Sequence, residues 1–234
     1  MIELKDLTQI FGSTTALDNV NLKINEGGII GLIGPNGSGK STIIRSIMGI
    51  LKPTSGIVLI DDEAVNRTIS SKIAYMADIN ELFLPTVKDN IDYFTDLYKD
   101  YDKAKLMEII NSLNIDLNKE VKGLSKGQTI IIRFALTVSR NVSYYIFDEP
   151  LSGLDPVFRD SFIQRLTNYR DENPHVTIII TSHMLKEIQD LLDEVIAIYF
   201  AKILAHDKKE NILSENEDLE SWFKKQYIKA GISF

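Results

Sequence analysis

Gly34-Pro35-Asn36-Gly37-Ser38-Gly39-Lys40-Ser41-Thr42 is the stretch on which the reading of this chain turns. It fits the pattern G-x-x-x-x-G-K closed by Ser or Thr, without a mismatch. Just before it, Ile29-Ile30-Gly31-Leu32-Ile33 is an apolar run that reads as a buried strand. Just after it, Ile43, Ile44, Ile47 and Met48 recur at the spacing of one helical face. Strand, glycine-rich loop and helix is the context in which this pattern binds phosphate. Glycines at 34, 37 and 39 let the backbone bend so that successive N–H groups point inward at anionic oxygens. The helix starting near Lys40 adds the positive end of its dipole. Lys40 is expected to reach the terminal phosphates and the Ser41 hydroxyl to ligate Mg²⁺. Gly34, Asn36, Gly37, Ser38, Gly39, Lys40, Ser41 and Thr42 are thus the expected phosphate-side residues.

The chain has 234 residues, enough for one large core or two small ones. Its hydrophobic share of 44% and charged share of 25% are those of a globular protein. A net charge of −7 argues against non-specific binding of nucleic acid, which draws on a basic surface. With no cysteine, a disulfide framework and a thiolate metal site are excluded. His175, His183 and His206 are too scattered to suggest a metal cluster. Met1-Ile2-Glu3-Leu4-Lys5-Asp6 lacks a basic start followed by an apolar run, so no signal peptide is expected. No apolar stretch approaches the ~20 residues of a membrane span. The longest, Thr129 to Ser139, contains Arg133. A cytoplasmic protein is expected.

Upstream of the loop, Ile2 to Ile10 and Leu17 to Ile24 read as antiparallel strands around a Gly12-Ser13-Thr14-Thr15 turn. Phe11 beside that turn fits two roles equally on spacing, a platform for a base or an edge aromatic. Downstream, Ile57 to Ile60 and Ile73 to Met76 are short strands. Asp89 to Tyr98 and Lys103 to Leu113 carry apolar residues at helical spacing, and a third helix begins at Lys126 with Ser125 as its cap. This section reads as a helical part inserted between strands of the core. Tyr144-Tyr145-Ile146-Phe147 then forms a buried strand ending in Asp148 and Glu149, where open α/β sheets place their ligand chemistry. Asp148 would hold Mg²⁺ and Glu149 would act as general base on the attacking water. Pro156 to Tyr169 is a helix, Thr177 to Thr181 a strand and Met184 to Leu192 a helix. Val195 to Tyr199 and Lys202 to Ala205 are closing strands. The tail from Ser214 is expected to hold one amphipathic helix with Leu219, Trp222, Phe223 and Ile228 on one side. His183, after the strand, fits either a γ-phosphate switch or a structural histidine.

Taken in order, these residues resemble the ATP-binding cassette (ABC) family over nearly the whole chain. Leu124-Ser125-Lys126-Gly127-Gln128 resembles the family signature, usually L-S-G-G-Q. Asp148-Glu149 follows at the family's distance, Ser152-Gly153-Leu154-Asp155 looks like its D-loop, and His183 its switch histidine. Phe11 matches the aromatic that stacks on adenine. The resemblance implies an α/β fold, a P-loop NTPase RecA-like core with an N-terminal antiparallel β subdomain and an inserted α-helical subdomain. The expected division is a nucleotide-binding domain over 1–213, with core at 1–77 and 140–213 and helical subdomain at 78–139, then a helical tail at 214–234. It implies ATP and Mg²⁺ as cofactors, with Ser41, Asp148 and Asp78 toward the metal. It also implies a second cassette, identical or homologous, whose nucleotide is covered by Ser125, Gly127, Gln128 and Asp155 of this one. Catalysis would fall to Glu149, His183 and Lys40.

Three positions depart from the family pattern. Lys126 replaces a signature glycine and would add a cation near the partner's phosphates. Asp78 stands where glutamine is usual, with Asn80 or Glu81 as substitutes for that role. Thr129-Ile130-Ile131-Ile132 is greasier than usual, facing either a partner subunit or the core. Leu84-Pro85-Thr86-Val87-Lys88-Asp89-Asn90 and the short tail resemble bacterial exporter cassettes paired with a separate membrane subunit. Among these the chain is similar to staphylococcal cassettes that export amphipathic cytolytic peptides, the phenol-soluble modulins. An ABC ATPase acting on nucleic acid or the ribosome, and a nucleotide sensor with little turnover, are the alternatives. The acidic balance opposes the first and Glu149 the second.

Overall fold

Two sheets share one core, and the strand that feeds the glycine loop lies inside the larger. The computed structural model describes residues 1–66, 69–183 and 185–231. Strands β1 (Ile2–Phe11) and β2 (Thr14–Ile24) form an antiparallel hairpin. β3 (Gly28–Ile33) leads through the glycine loop into α1 (Lys40–Ile47). β4 (Ser55–Ile60), β5 (Glu63–Ala64) and β6 (Ile73–Met76) follow, then helices α2 (Val87–Leu97), α3 (Lys103–Ser112) and α4 (Lys126–Val138). β7 (Tyr144–Asp148), α5 (Pro156–Glu172), β8 (Thr177–Ser182), α6 (Leu185–Ile188), β9 (Glu194–Tyr199) and β10 (Lys202–Lys208) return the chain to the core. α7 (Lys209–Glu215) and α8 (Leu219–Lys229) complete it.

The smaller sheet runs β2-β1-β4-β5 and is antiparallel. The larger runs β10-β9-β3-β8-β7-β6, parallel but for β10. Parallel strands are covered on both faces, so their sequences read as unbroken apolar runs whose alternate residues part company. Ile30 and Leu32 of β3 pack with Leu4, Val20 and Ile44, toward the smaller sheet and α1. Ile29 and Ile33 pack with Ile131, Phe134 and Phe162, toward α4 and α5. The same division splits Tyr144 and Ile146 from Tyr145 and Phe147 in β7.

Helix α4 is buried on almost every side. Ile130, Ile131, Phe134 and Val138 join the sheet core, while Ile132, Ala135 and Leu136 join a separate cluster with Leu82, Val87, Leu106 and Ile110. The greasy Thr129–Ile132 stretch is therefore core, not partner surface: Ile131 and Ile132 are fully buried within this chain. α2 starts earlier than its apolar spacing suggests. Thr86 caps it, accepting from Asp89 N–H, and Asp89 returns the bond to Thr86 N–H.

The tail differs from expectation in its facing. From Ser214 it holds the end of α7 and then one amphipathic helix, α8, as expected, but Ile228 is two-thirds exposed while Tyr227 is buried beside Trp222 and Leu219. A helical face at i, i+3, i+4 and i+8 selects 219, 222, 223 and 227, one residue short of 228. The helix expected from Met184 to Leu192 is the single turn α6 followed by a 3₁₀ turn at Gln189–Leu191; its start at Met184 lies outside the described residues.

Candidate active site

The loop between β3 and α1 wraps around its own lysine. Lys40 is buried, and its ammonium donates to Gly34 O at 2.8 Å and Pro35 O at 3.3 Å. The turn closes through Ser38 N–H to Pro35 O at 3.2 Å, and α1 opens with Ile43 N–H on Gly39 O. Gly39 has φ 116°, and a Cβ there would lie 2.8 Å from Ala16 O, so only glycine suits this corner.

β7 delivers the carboxylates to the same place. Asp148 Oδ1 accepts from the Thr181 hydroxyl at 2.6 Å and Oδ2 from the Tyr75 hydroxyl at 3.3 Å. Burial, reinforced by the charge of Asp148, pushes the Tyr75 hydroxyl well above its ordinary range, so it remains a donor. Glu149 occupies the left-handed region at φ 48°, held there by its N–H on Thr181 Oγ1 at 2.8 Å. Such a conformation in a non-glycine residue concentrates at functional sites. Its side chain spans two groups: Oε2 lies 2.7 Å from His183 Nδ1, and Oε1 lies 3.5 Å from the Lys40 ammonium.

A cleft of about 330 Å³ collects Phe11, Asn36, Gly37, Gly39, Lys40, Ser41, Thr42, Asp78, Asp148 and Glu149. Phe11 is half exposed at its rim, which leaves its ring open to stacking. Ser38 does not face this cleft. Its side chain is buried, and its carbonyl accepts from Ala201 N–H at 3.1 Å. Gly34 borders a different cleft behind the loop. Among the described residues no three His, Asp or Glu side chains are grouped to hold a metal. Ser41, Asp148 and Asp78 nevertheless share the cleft as hard oxygen donors, the kind Mg²⁺ takes when phosphates and water supply its other ligands. Those residues fit that ion.

The other site residues lie elsewhere. Ser125 stands exposed as the cap of α4, its hydroxyl accepting from Gln128 N–H and Gln128 Oε1 accepting from Ser125 N–H, each at 3.1 Å. Gly127 is pressed against the Phe158 ring, where any Cβ would come within 2.2 Å. Asp155 caps α5, accepting from Val157 and Phe158 N–H. None of these four lines the cleft around Lys40. Lys126 folds back over Gly153, close enough that a Cβ there would sit 2.2 Å from its ammonium. Asp78 lines the cleft around Lys40, whereas Asn80 and Glu81 do not. Asn80 accepts from Leu82 N–H, and Glu81 accepts from Arg133 at 3.2 Å and Ala77 N–H at 3.3 Å. Burial pushes Glu81 above the usual carboxylate range, with Arg133 pulling the other way.

The fold and the cleft together define a phosphate-loop nucleotide-binding cassette. The family model described as ABC transporter matches residues 17–152, well over half of the chain. The chain is 29% identical to the lantibiotic transport ATP-binding protein SrtF of Streptococcus pyogenes over 232 residues, 97% of this chain and 98% of that one. It is 30% identical to the bacitracin transport ATP-binding protein BcrA of Bacillus licheniformis, over 90% of this chain and 72% of that one. A dimeric bacterial ABC transporter cassette superposes with a TM-score of 0.77 at 25% identity, covering 89% of this chain and 99% of that chain. The chain belongs to the ABC transporter family, as an ATP-binding, ATP-hydrolysing subunit.

Proposed function

We propose that this chain is the motor subunit of an exporter, a peripheral protein on the cytoplasmic face of the cell membrane. It pairs with a second cassette around ATP and drives a separate membrane subunit. One observation carries the reading. Lys40, Asp148 and Glu149 converge in one cleft, while Ser125, at the opening of α4, is exposed and turned to no part of it. A helix N-terminus of that kind is a ready anion cradle. The chain therefore presents two half-sites that are complete only across a pair. ATP held by Lys40 of one copy and Ser125 of the other joins them, and hydrolysis lets them separate, a shift driven by differential affinity.

In the paired state Asp148 and Ser41 would hold Mg²⁺, with Asp78 at the cleft edge. That ion would neutralise charge on the phosphates. Glu149 would accept the proton of the attacking water, and His183, now on Glu149, would turn to the γ-phosphate. Phe11 would stack on adenine. The helical part, residues 78–139, would carry the signature against the partner and meet the membrane subunit at its edge. Between that part and the core lies a groove of about 250 Å³ containing Ile50, Tyr75, Leu82 and Phe94. Exposed Ile79 and Phe83 support docking nearby. Among the described residues no helix is long and apolar enough to cross a membrane, so the motor requires that second subunit. Relatives named for lantibiotic and bacitracin transport support amphipathic peptides as cargo; the phenol-soluble modulins belong to that class.

The test is Glu149→Gln with saturating Mg-ATP, read by light scattering. A stable dimer that forms only with ATP and dissociates when ATP is removed is expected. A persistent monomer would overturn the paired motor. Lys40→Ala run beside it should no longer bind triphosphate.

A further inference from the structure

Behind the phosphate loop, away from Asp148, lies a second cleft of about 460 Å³. Its size is that of small-molecule sites, and its walls are mostly apolar. Leu185 of α6, Phe223 and Tyr227 of α8, and Gly34 and Pro35 of the loop line it, together with His183 and with Glu187, whose charge is met by Arg159. The wall is built rather than loose. Leu219 is fully buried, its N–H on Gln189 Oε1 at 2.8 Å, and the Phe223 and Tyr227 rings meet edge to face at 4.7 Å.

At the rim two lysines share one acid. Glu220 takes Lys224 at 2.8 Å and Lys186 at 3.3 Å. Exposed ion pairs hold weakly, so either ammonium can turn to another carboxylate while its methylene stem stays on the apolar wall. An apolar body with one negative end matches this cleft in both parts.

We propose that the cleft between α6, α8 and the back of the phosphate loop binds small anionic amphiphiles, a carboxylate on a medium aliphatic chain, and that its occupancy opposes ATP. The sign follows from the shared wall. Gly34 and Pro35 line the cleft in the arrangement in which their carbonyls hold the Lys40 ammonium. A ligand fitted to that arrangement favours it, and ATP must draw Lys40 away from it. Binding at one place therefore weakens binding at the other by the same factor. This coupling rests on the nucleotide role of Lys40; the amphiphile site itself does not.

The test uses the full chain and decanoate below its micellar concentration, with decanol and decyltrimethylammonium as neutral and cationic controls, by calorimetry. Without nucleotide, decanoate should bind saturably and at least tenfold more tightly than either control. Lys186→Glu/Lys224→Glu should lose that affinity at least tenfold, and Lys186→Arg/Lys224→Arg should keep it. Equal binding of the three probes, no saturable binding, or unchanged affinity after charge reversal overturns the site. Saturating decanoate should weaken ATP binding at least threefold, and ATP should weaken decanoate equally. An ATP affinity that does not move overturns the coupling. ATP binding measured without decanoate reports on the nucleotide role separately.

Discussion

Thr181 links the two acids of the candidate active site through one oxygen. Its hydroxyl donates to Asp148 Oδ1 at 2.6 Å and accepts from Glu149 N–H at 2.8 Å. Valine has nearly the same shape and neither bond. In Thr181→Val, Asp148 loses a donor and Glu149 N–H a partner, each lost partner costing about 1–3 kcal/mol in a buried setting. Glu149, released from its left-handed conformation, would misplace its carboxylate. The expected result is a turnover number reduced about tenfold, equivalent to ~1.4 kcal/mol of barrier, with ATP affinity little changed. Steady-state ATPase assays and nucleotide titration check both parts; an unaltered turnover number removes Thr181 from the positioning of Glu149. Asp148 and Glu149 were legible because acids closing a buried apolar strand are out of place unless used. Thr181 was not. Threonine is a common strand former, and its partner is 33 residues away in sequence, a distance that only the pairing of β7 with β8 closes. Lys126 was legible as a cation but not in its direction, since the room it takes is made by the missing side chain of Gly153.

Elements were readable where one periodicity governed. The strands of the parallel sheet declared themselves as apolar runs, and α4 as a helix capped by Ser125, to which the structure adds Gln128 as the returning partner of a capping box. What escaped was decided by partners distant in the chain. The tail's facing toward Tyr227 depends on Tyr199, whose ring lies 4.4 Å from it. The short β5 exists through its pairing with β4. The turn between those strands places Asp61 against β7, where it accepts from the Tyr144 hydroxyl, from the Met1 amine at 2.9 Å and from Lys72 at 3.1 Å. Burial pushes Asp61 up, but those three donors together outweigh it and hold the carboxyl at about 2. A folded-state value below the ordinary 3.8 means stability that is full above that pH and lost as pH falls toward 2. Asp61→Asn keeps the left-handed turn, which asparagine tolerates. It should cost about 1 kcal/mol at pH 7, a figure reduced for the solvent screening of a one-third exposed group. Urea unfolding at pH 7 and pH 3 checks the sign: the gap between variant and parent should narrow at the lower pH.

At the scale of the whole molecule, one group of exposed apolar side chains lies at the start of the helical part. Ile79 and Phe83 are each more than 60% exposed, and the Phe83 ring meets Tyr93 at 5.0 Å with Phe94 behind. Monomers seldom leave such a patch open without a use. Phe83 lies far in role from the cleft of Lys40, so Phe83→Ser should leave basal ATPase activity unchanged. If the patch seats the membrane subunit, the same substitution should remove most of the stimulation that membranes holding that subunit confer. Stimulation equal to that of the parent chain would place the contact elsewhere. The fold class was open to reading from the loop alone, because few architectures put that pattern between a buried strand and a helix. The proposed division of work between two copies was implied only by the family resemblance, because nothing in a single chain's order states which surfaces it leaves exposed.

One oxygen of Glu149 is hydrogen-bonded to His183, and the other is buried in ionic contact with Lys40. The proposed proton acceptor thus has neighbours on both oxygens that must be displaced. On the proposed paired reading, a cell stocked with solitary copies would lose little fuel to idling.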